Sequence, residues 1–161
     1  NPFKDVKVSS WFGKYVIDLY NDGIINGTSA TTYAPNDTLT WAAALKLLLV
    51  SHGDLKAADA TGADWSKNTI AKAAELGLVA ADLDGAKAIS RLEFCQVAAK
   101  LNKLAESKTE SKFTDCTDGY VMALVDAKVI SGMTETTFEP AASLTRAQIA
   151  KIIYQLNLIE K

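Results

Sequence analysis

The chain has two arginines, Arg91 and Arg146, and each follows a hydroxyl residue at the head of an apolar-periodic stretch. Ile89-Ser90-Arg91-Leu92-Glu93 leads into Phe94, Val97, Ala98 and Leu101, and Leu144-Thr145-Arg146-Ala147-Gln148 leads into Ile149, Ile152, Ile153 and Leu156. Ser90 and Thr145 are placed to cap helices, with Glu93 and Gln148 positioned to complete capping boxes. Each arginine then stands in a first turn, where the helix dipole disfavours a cation and backbone N–H groups lack helical partners. A planar, always-charged donor beside free N–H groups suits a carboxylate or another oxyanion. The other basic residues are lysines and suffice for solubility, so two arginines at matching sites point to binding.

These residues must be positioned by a repeat. Leu39-Thr40-Trp41-Ala42-Ala43 is a third copy of the stretch, with Trp41 where the others carry arginine and Ala43 in place of the capping-box residue. Upstream, Ser10 is read as the cap of a helix from Trp11 to about Asn21, ended by Gly23 as a left-handed glycine. Asp64 caps a second such helix from Trp65, ended by Gly77; the two tryptophans stand equally far from their glycines. A third runs through Tyr120, Val121, Leu124 and Val125. Gly27 to Pro35 matches Gly132 to Pro140, and Pro35 to Thr40 matches Pro140 to Thr145. Such registers define tandem units, placed at 1–55, 56–108 and 109–161. The middle unit has a shorter loop and lacks the aromatic-x-Pro step. Lys56–Gly62 and the charged stretch Lys100–Lys112 read as linkers.

Phe-x-Asp-Val at the lead-in, a tryptophan at the first helix, Gly-Ile-Ile-x-Gly, aromatic-x-Pro and Leu-Thr-Arg-Ala-Gln together resemble S-layer homology (SLH) repeats. The resemblance covers nearly the whole chain and is weakest in the middle unit. It implies an all-α fold of three helix-loop-helix repeats, a pseudo-threefold, three-pronged spindle with first helices gathered into a central three-helix bundle. It further implies a non-catalytic role: non-covalent anchoring of a longer surface protein, at the cell wall or S-layer, through a secondary cell wall polysaccharide. That polymer is acidic, often pyruvylated, and held in grooves between units. The matching residues are Arg91 and Arg146 for the acid, Trp11 and Trp65 for sugar faces, and Asp5 and Asp115 for hydroxyls. Gly27 and Gly132 allow close approach, and Glu93 and Gln148 complete the set. Packing in the core is the competing role for the tryptophans. With Trp41 replacing arginine, one competent groove is expected, or at most two. The alternative is an SLH-like structural or protein-interaction module that has lost glycan binding, with Trp41 as an exposed contact.

Composition excludes other classes. With 48% hydrophobic residues the chain builds a core. A net charge of -2 gives no basic field for nucleic acid. No apolar run is long enough for membrane insertion. Asn1-Pro2-Phe3 carries no signal-peptide pattern, which fits either a cytosolic protein or a chain whose leader and flanking parts lie elsewhere. No cofactor or metal is expected. Asp82-Leu83-Asp84-Gly85 lacks the ligands of a calcium loop and reads as a turn. His52, the one histidine, suits a helix C-terminus and has no evident catalytic partner. Cys95 and Cys116 are read as two buried thiols or, alternatively, a disulfide. No catalytic cluster stands out, so the chain is not read as an enzyme.

Overall fold

A computed structural model describes residues 1–159 of the 161; the last two residues of the third expected unit lie outside that range. The described residues form six helices: α1 (Gly13–Asn21), α2 (Trp41–His52), α3 (Trp65–Glu75), α4 (Arg91–Leu101), α5 (Gly119–Asp126) and α6 (Arg146–Asn157). The fold is all-α. None of these helices is long and apolar enough to cross a membrane.

The second helix of each pair starts where the sequence places it. Thr40, Ser90 and Thr145 hold extended backbone and accept through their hydroxyls from the N–H groups of Ala43, Glu93 and Gln148. The capping box is complete in α4 and α6. In α2 it is incomplete, because Ala43 has no group to return the bond. First helices start less tidily. Ser10 does not cap α1, which begins after Phe12, so Trp11 precedes the helix. Asp64 stands at the N-cap of α3 without a side-chain bond. Asp118, unnoticed in the sequence, caps α5 by accepting from Tyr120 and Val121. Gly23 and Gly77 close α1 and α3 at φ 73° and 74°, and Lys128 takes the matching place after α5 at φ 60°.

The pairs are joined in a cycle. Short antiparallel bridges link Thr38 to Thr145, Thr40 to Ala88 and Ser90 to Ser143. Just inside them Leu39, Ile89 and Leu144 are buried together in the core. Helix packing differs from a gathering of first helices at the centre. Each first helix instead lies on the second helix of the preceding pair: α3 on α2, α5 on α4, and α1 on α6. The second helices α2, α4 and α6 carry most of the buried helical residues, and α2 also packs on α6. The reason is visible in composition. Leu45, Leu48 and Leu49 of α2, Phe94, Cys95 and Ala98 of α4, and Ile149, Ala150 and Ile153 of α6 are all essentially inaccessible, whereas α3 buries only Thr69 and Ala73. Burial of apolar surface, the main favourable term in folding, therefore draws the second helices inward.

The charged linker is more fixed than its composition indicates. The Ser107 and Thr109 hydroxyls donate to the Asp126 carboxylate, and the Ser107 N–H donates to the Gly119 carbonyl. The Asp82–Gly85 stretch spans two successive turns: the Leu83 N–H donates to the Ala80 carbonyl, and Asp84 accepts from the Ala86 and Lys87 N–H groups at its carboxylate and carbonyl. His52 ends α2 with its ring against Asp54. Cys95 and Cys116 are both free and buried.

Candidate functional site

The first-turn N–H groups beside the arginines are not free, which corrects the expected anion corner. Arg146 and Ala147 donate to Asp37 and Pro35 carbonyls at 2.8 and 3.0 Å. Arg91 and Leu92 donate to Ala142 and Pro140 at the same distances, and Trp41 and Ala42 to Lys87 and Gly85. The loop of the following pair, taken cyclically, thus satisfies each helix start. An oxyanion has no backbone donor left there, and side chains must supply the charge.

Each arginine reaches into that same neighbouring loop. Arg146 stacks on the Tyr33 ring with its guanidinium carbon 4.5 Å from the centroid. Its Nε donates to the Tyr33 carbonyl at 2.7 Å and one terminal nitrogen to the Asn26 carbonyl at 2.9 Å. The Tyr33 hydroxyl returns a bond to the Arg146 carbonyl; burial pushes that phenol up to about 12. Arg91 repeats the arrangement on Phe138, with ring centroid at 4.7 Å and its Nε donating to the Phe138 carbonyl at 2.9 Å. It is 7% exposed, and burial lowers its pKa against the opposing pull of Cys95, Glu139 and Asp115. Among the described residues neither guanidinium forms an ion pair.

The aspartates and glycines hold this loop. Both oxygens of Asp5 accept backbone N–H groups, from Tyr33 and Ala34, at 2.9 and 2.8 Å. Those of Asp115 accept from Phe138 and Glu139 at 2.8 and 2.9 Å. Ala34 and Glu139 lie in the left-handed region, at φ 58° and 59°, a conformation these clamps sustain. So the aspartates position the plates on which the arginines lie. Gly27 and Gly132 likewise accommodate their own loops. A Cβ on Gly27 would stand 2.4 Å from the Thr32 carbonyl oxygen and 2.5 Å from the Phe3 ring; one on Gly132 would meet Thr134 and Phe113 at the same distances. Glu93 serves the Ser90 capping box.

The clamps make a pH prediction. Partial burial raises the Asp5 pKa, but the N–H groups of Tyr33 and Ala34 and the charge of Arg146 outweigh it and leave it below its ordinary 3.8. For Asp115 the Phe138 and Glu139 N–H groups depress the pKa, burial opposing and Arg91 assisting. A carboxylate with a depressed folded pKa stabilises the fold fully above its unfolded pKa and loses that contribution as pH falls through the folded value. Urea midpoints are expected to hold from pH 7 to about 5 and to fall below about 4. Asp5→Asn with Asp115→Asn should flatten that fall.

Two grooves open beside the arginines, built alike. One, about 160 Å³, is lined by Trp11, Arg91, the Ile130–Met133 loop, Gln148, Lys151 and Ile152. The other, about 260 Å³, is lined by Trp65, Arg146, the Asn26–Thr28 loop, Ala43, Lys46 and Leu47. Each thus draws its tryptophan from one pair, its arginine from the next and its loop and lysine from a third. Trp11 is 58% exposed. Trp65 is half-buried, with the Lys46 ammonium 5.3 Å from its ring. Burial and the nearby Arg146 charge both lower the Lys46 pKa. Lys46 and Lys151 escaped the sequence reading; their signal is that they stand equally far beyond the Thr40 and Thr145 caps, with Gln96 at the matching place in α4.

The third equivalent position has lost all these groups. Trp41 replaces the arginine and is half-buried against the core instead of standing exposed. Gln96 replaces the lysine and donates to Asp118 at 2.8 Å. No tryptophan stands ahead of α5; Cys116, near the expected aromatic in sequence, is buried one residue after Asp115 as Val6 is after Asp5.

The family model of the S-layer homology domain matches residues 2–45 and 114–150, about half of the chain. The chain belongs to this family of non-catalytic modules, which anchor proteins at the cell surface and bind cell-wall polysaccharide, and its location is extracellular, at the wall. It is 30% identical over 96% of its length to an endoglucanase of Bacillus sp. (strain KSM-635) and 27% identical over 99% to an amylopullulanase of Thermoanaerobacterium thermosulfurigenes. It is 38% identical over 48% of its length to the surface-layer 125 kDa protein of Lysinibacillus sphaericus. The chain spans 18%, 10% and 7% of those three proteins.

Proposed function

We propose that this chain is a unit of three tandem repeats, 1–55, 56–108 and 109–161, that anchors a longer surface protein by holding an acidic secondary cell wall polysaccharide in two inter-repeat grooves. The observation that carries the reading is the pairing of cations that form no ion pair among the described residues. Arg146 with Lys46, and Arg91 with Lys151, converge on grooves each edged by an indole. Holding like charges together costs free energy that an anionic ligand returns. A carboxylate such as a pyruvyl acetal would take the remaining guanidinium N–H groups and the lysine, and the indole would cover an apolar sugar face. Gln148 lies within reach as a neutral donor in the smaller groove only, since Ala43 stands at the matching place.

The lysines provide the cleanest test, because neither holds the fold together. Lys46→Gln or Lys151→Gln should each weaken sedimentation with purified walls about fivefold, at the upper end for a partly exposed ion pair. The double variant should bind untreated walls only as weakly as the parent binds walls stripped of secondary polymer. Melting temperatures should stay within about 2 °C, as for surface substitutions. Unchanged retention of the double variant would count decisively against the reading.

A further inference from the structure

The groove at Arg91 does not end at Lys151. A trough of about 410 Å³ continues from it, sharing Val129, Ile130, Ser131 and Lys151, and adds Tyr15, Lys112 and Lys128. No carboxylate lines it among the described residues. Lys128 is conspicuous. It occupies the left-handed position that closes α5, at φ 60°, where α1 and α3 are followed by Gly23 and Gly77. A side chain is disfavoured in that conformation. Backbone strain at a surface residue is a reason to look for what its side chain does. Here the residue edges a trough that shares Lys151 with the groove holding Arg91. At the Arg146 groove the matching residue is Gly23, which lines it and has no side chain to add a charge.

We propose that this trough is a second anionic subsite, which takes the next acidic unit along the chain when the first sits at Arg91 and Lys151. It rests on the polysaccharide reading of the Arg91 groove and makes the two grooves unequal. The smaller groove, with its basic extension, takes a stretch with at least two negative charges. The Arg146 groove takes a single acidic residue. Tyr15, half-buried on the trough wall, offers a ring for a sugar face between the two charges.

Galacturonate oligomers of one, two and three units serve as probes of graded charge, titrated into the whole chain by calorimetry at low salt. The parent should gain affinity from one to two units by about tenfold. Lys112→Gln with Lys128→Gly should remove most of that gain, roughly fivefold or more for two ion pairs, and leave the one-unit affinity unchanged. Lys128→Gly relieves the backbone strain, so a melting temperature at or above the parent's excludes unfolding as the cause. Lys46→Gln should leave the gain intact. A gain with length that survives in the double lysine variant, or an equal loss at every length, would overturn the trough and leave the Arg91 groove standing. Absence of any gain sensitive to Lys112 and Lys128, with one-unit binding also indifferent to Lys151→Gln, would overturn both.

Discussion

Gly132→Ala is expected to destabilise the protein by about 3 kcal/mol or more, the upper range for overpacking, and to lower the melting temperature by roughly 6–12 °C for a domain of this size. The reason is the company the new methyl would keep. It would stand 2.4 Å from the Thr134 carbonyl oxygen, 2.6 Å from that of Thr137 and 2.5 Å from the Phe113 ring. Two of those atoms are backbone and cannot rotate away. The same loop carries Phe138, whose ring and carbonyl hold Arg91, so the smaller groove should lose its ligand affinity together with stability. Gly27→Ala should do the same to the Arg146 groove, through Thr32, Ser29 and Phe3. Gly62→Ala is the control. It has φ 84° with nothing within 4 Å of the added carbon, so only the left-handed backbone is penalised, by about 1 kcal/mol. Thermal unfolding of the three variants decides it: a Gly132→Ala melt no lower than that of Gly62→Ala would refute the packing argument.

Legibility in the sequence followed the locality of the interaction. The second-helix caps involve residues a few positions apart, and Thr40, Ser90 and Thr145 were readable with their apolar stripes. So were the left-handed glycines Gly23 and Gly77, because closing a helix imposes a local demand on φ. What escaped reading connects distant segments. Nothing adjacent to Arg146 tells that its N–H will find Asp37 or that its side chain will lie on Tyr33. The first-turn N–H groups therefore looked vacant. The clamping role of Asp5 is not legible because its partners, Tyr33 and Ala34, come from the far side of a loop. Position within a repeat could have gone further than it did. Lys46 and Lys151 match each other as well as the arginines do, and Gln96 and Trp41 depart together in the third site.

The motif residues consequently divide by what they touch. Phe3, Asp5 and Gly27, like Phe113, Asp115 and Gly132, build a loop. That loop presents an aromatic ring and a carbonyl, which fix a guanidinium from the neighbouring pair. Only then do the guanidinium, a lysine and an indole line one groove together. A sequence signature can thus mark a binding module although most of its residues never face the groove. The degraded third site follows the same logic. With an indole at Trp41 there is no guanidinium for the loop of the second pair to hold, and that loop is the shortest of the three and lacks the aromatic-x-Pro step.

Arg146→Lys separates charge from geometry and carries the second large expected effect. Lysine keeps the positive charge, yet one ammonium cannot lie flat on Tyr33 while donating to both the Tyr33 and Asn26 carbonyls, which are 2.7 and 2.9 Å from different guanidinium nitrogens. Charge-assisted bonds of this kind contribute about 1.5–3 kcal/mol each, and a planar cation stacked on a ring contributes about 1 kcal/mol more. With part of this recovered by the ammonium, a net loss of about 2 kcal/mol in stability is expected. Affinity for the acidic polymer should fall more than tenfold, because the fork that would grip a carboxylate in two places is gone. Lys46→Gln removes a charge from the same groove without touching the Tyr33 plate, so it should weaken binding while leaving the melt unchanged. The pair of variants therefore predicts opposite patterns: charge retained with stability and binding both lost, against charge lost with stability retained. If Arg146→Lys binds wall polymer as the parent does, then a cation anywhere in the groove is enough, and the ordered loop beneath it serves the fold alone.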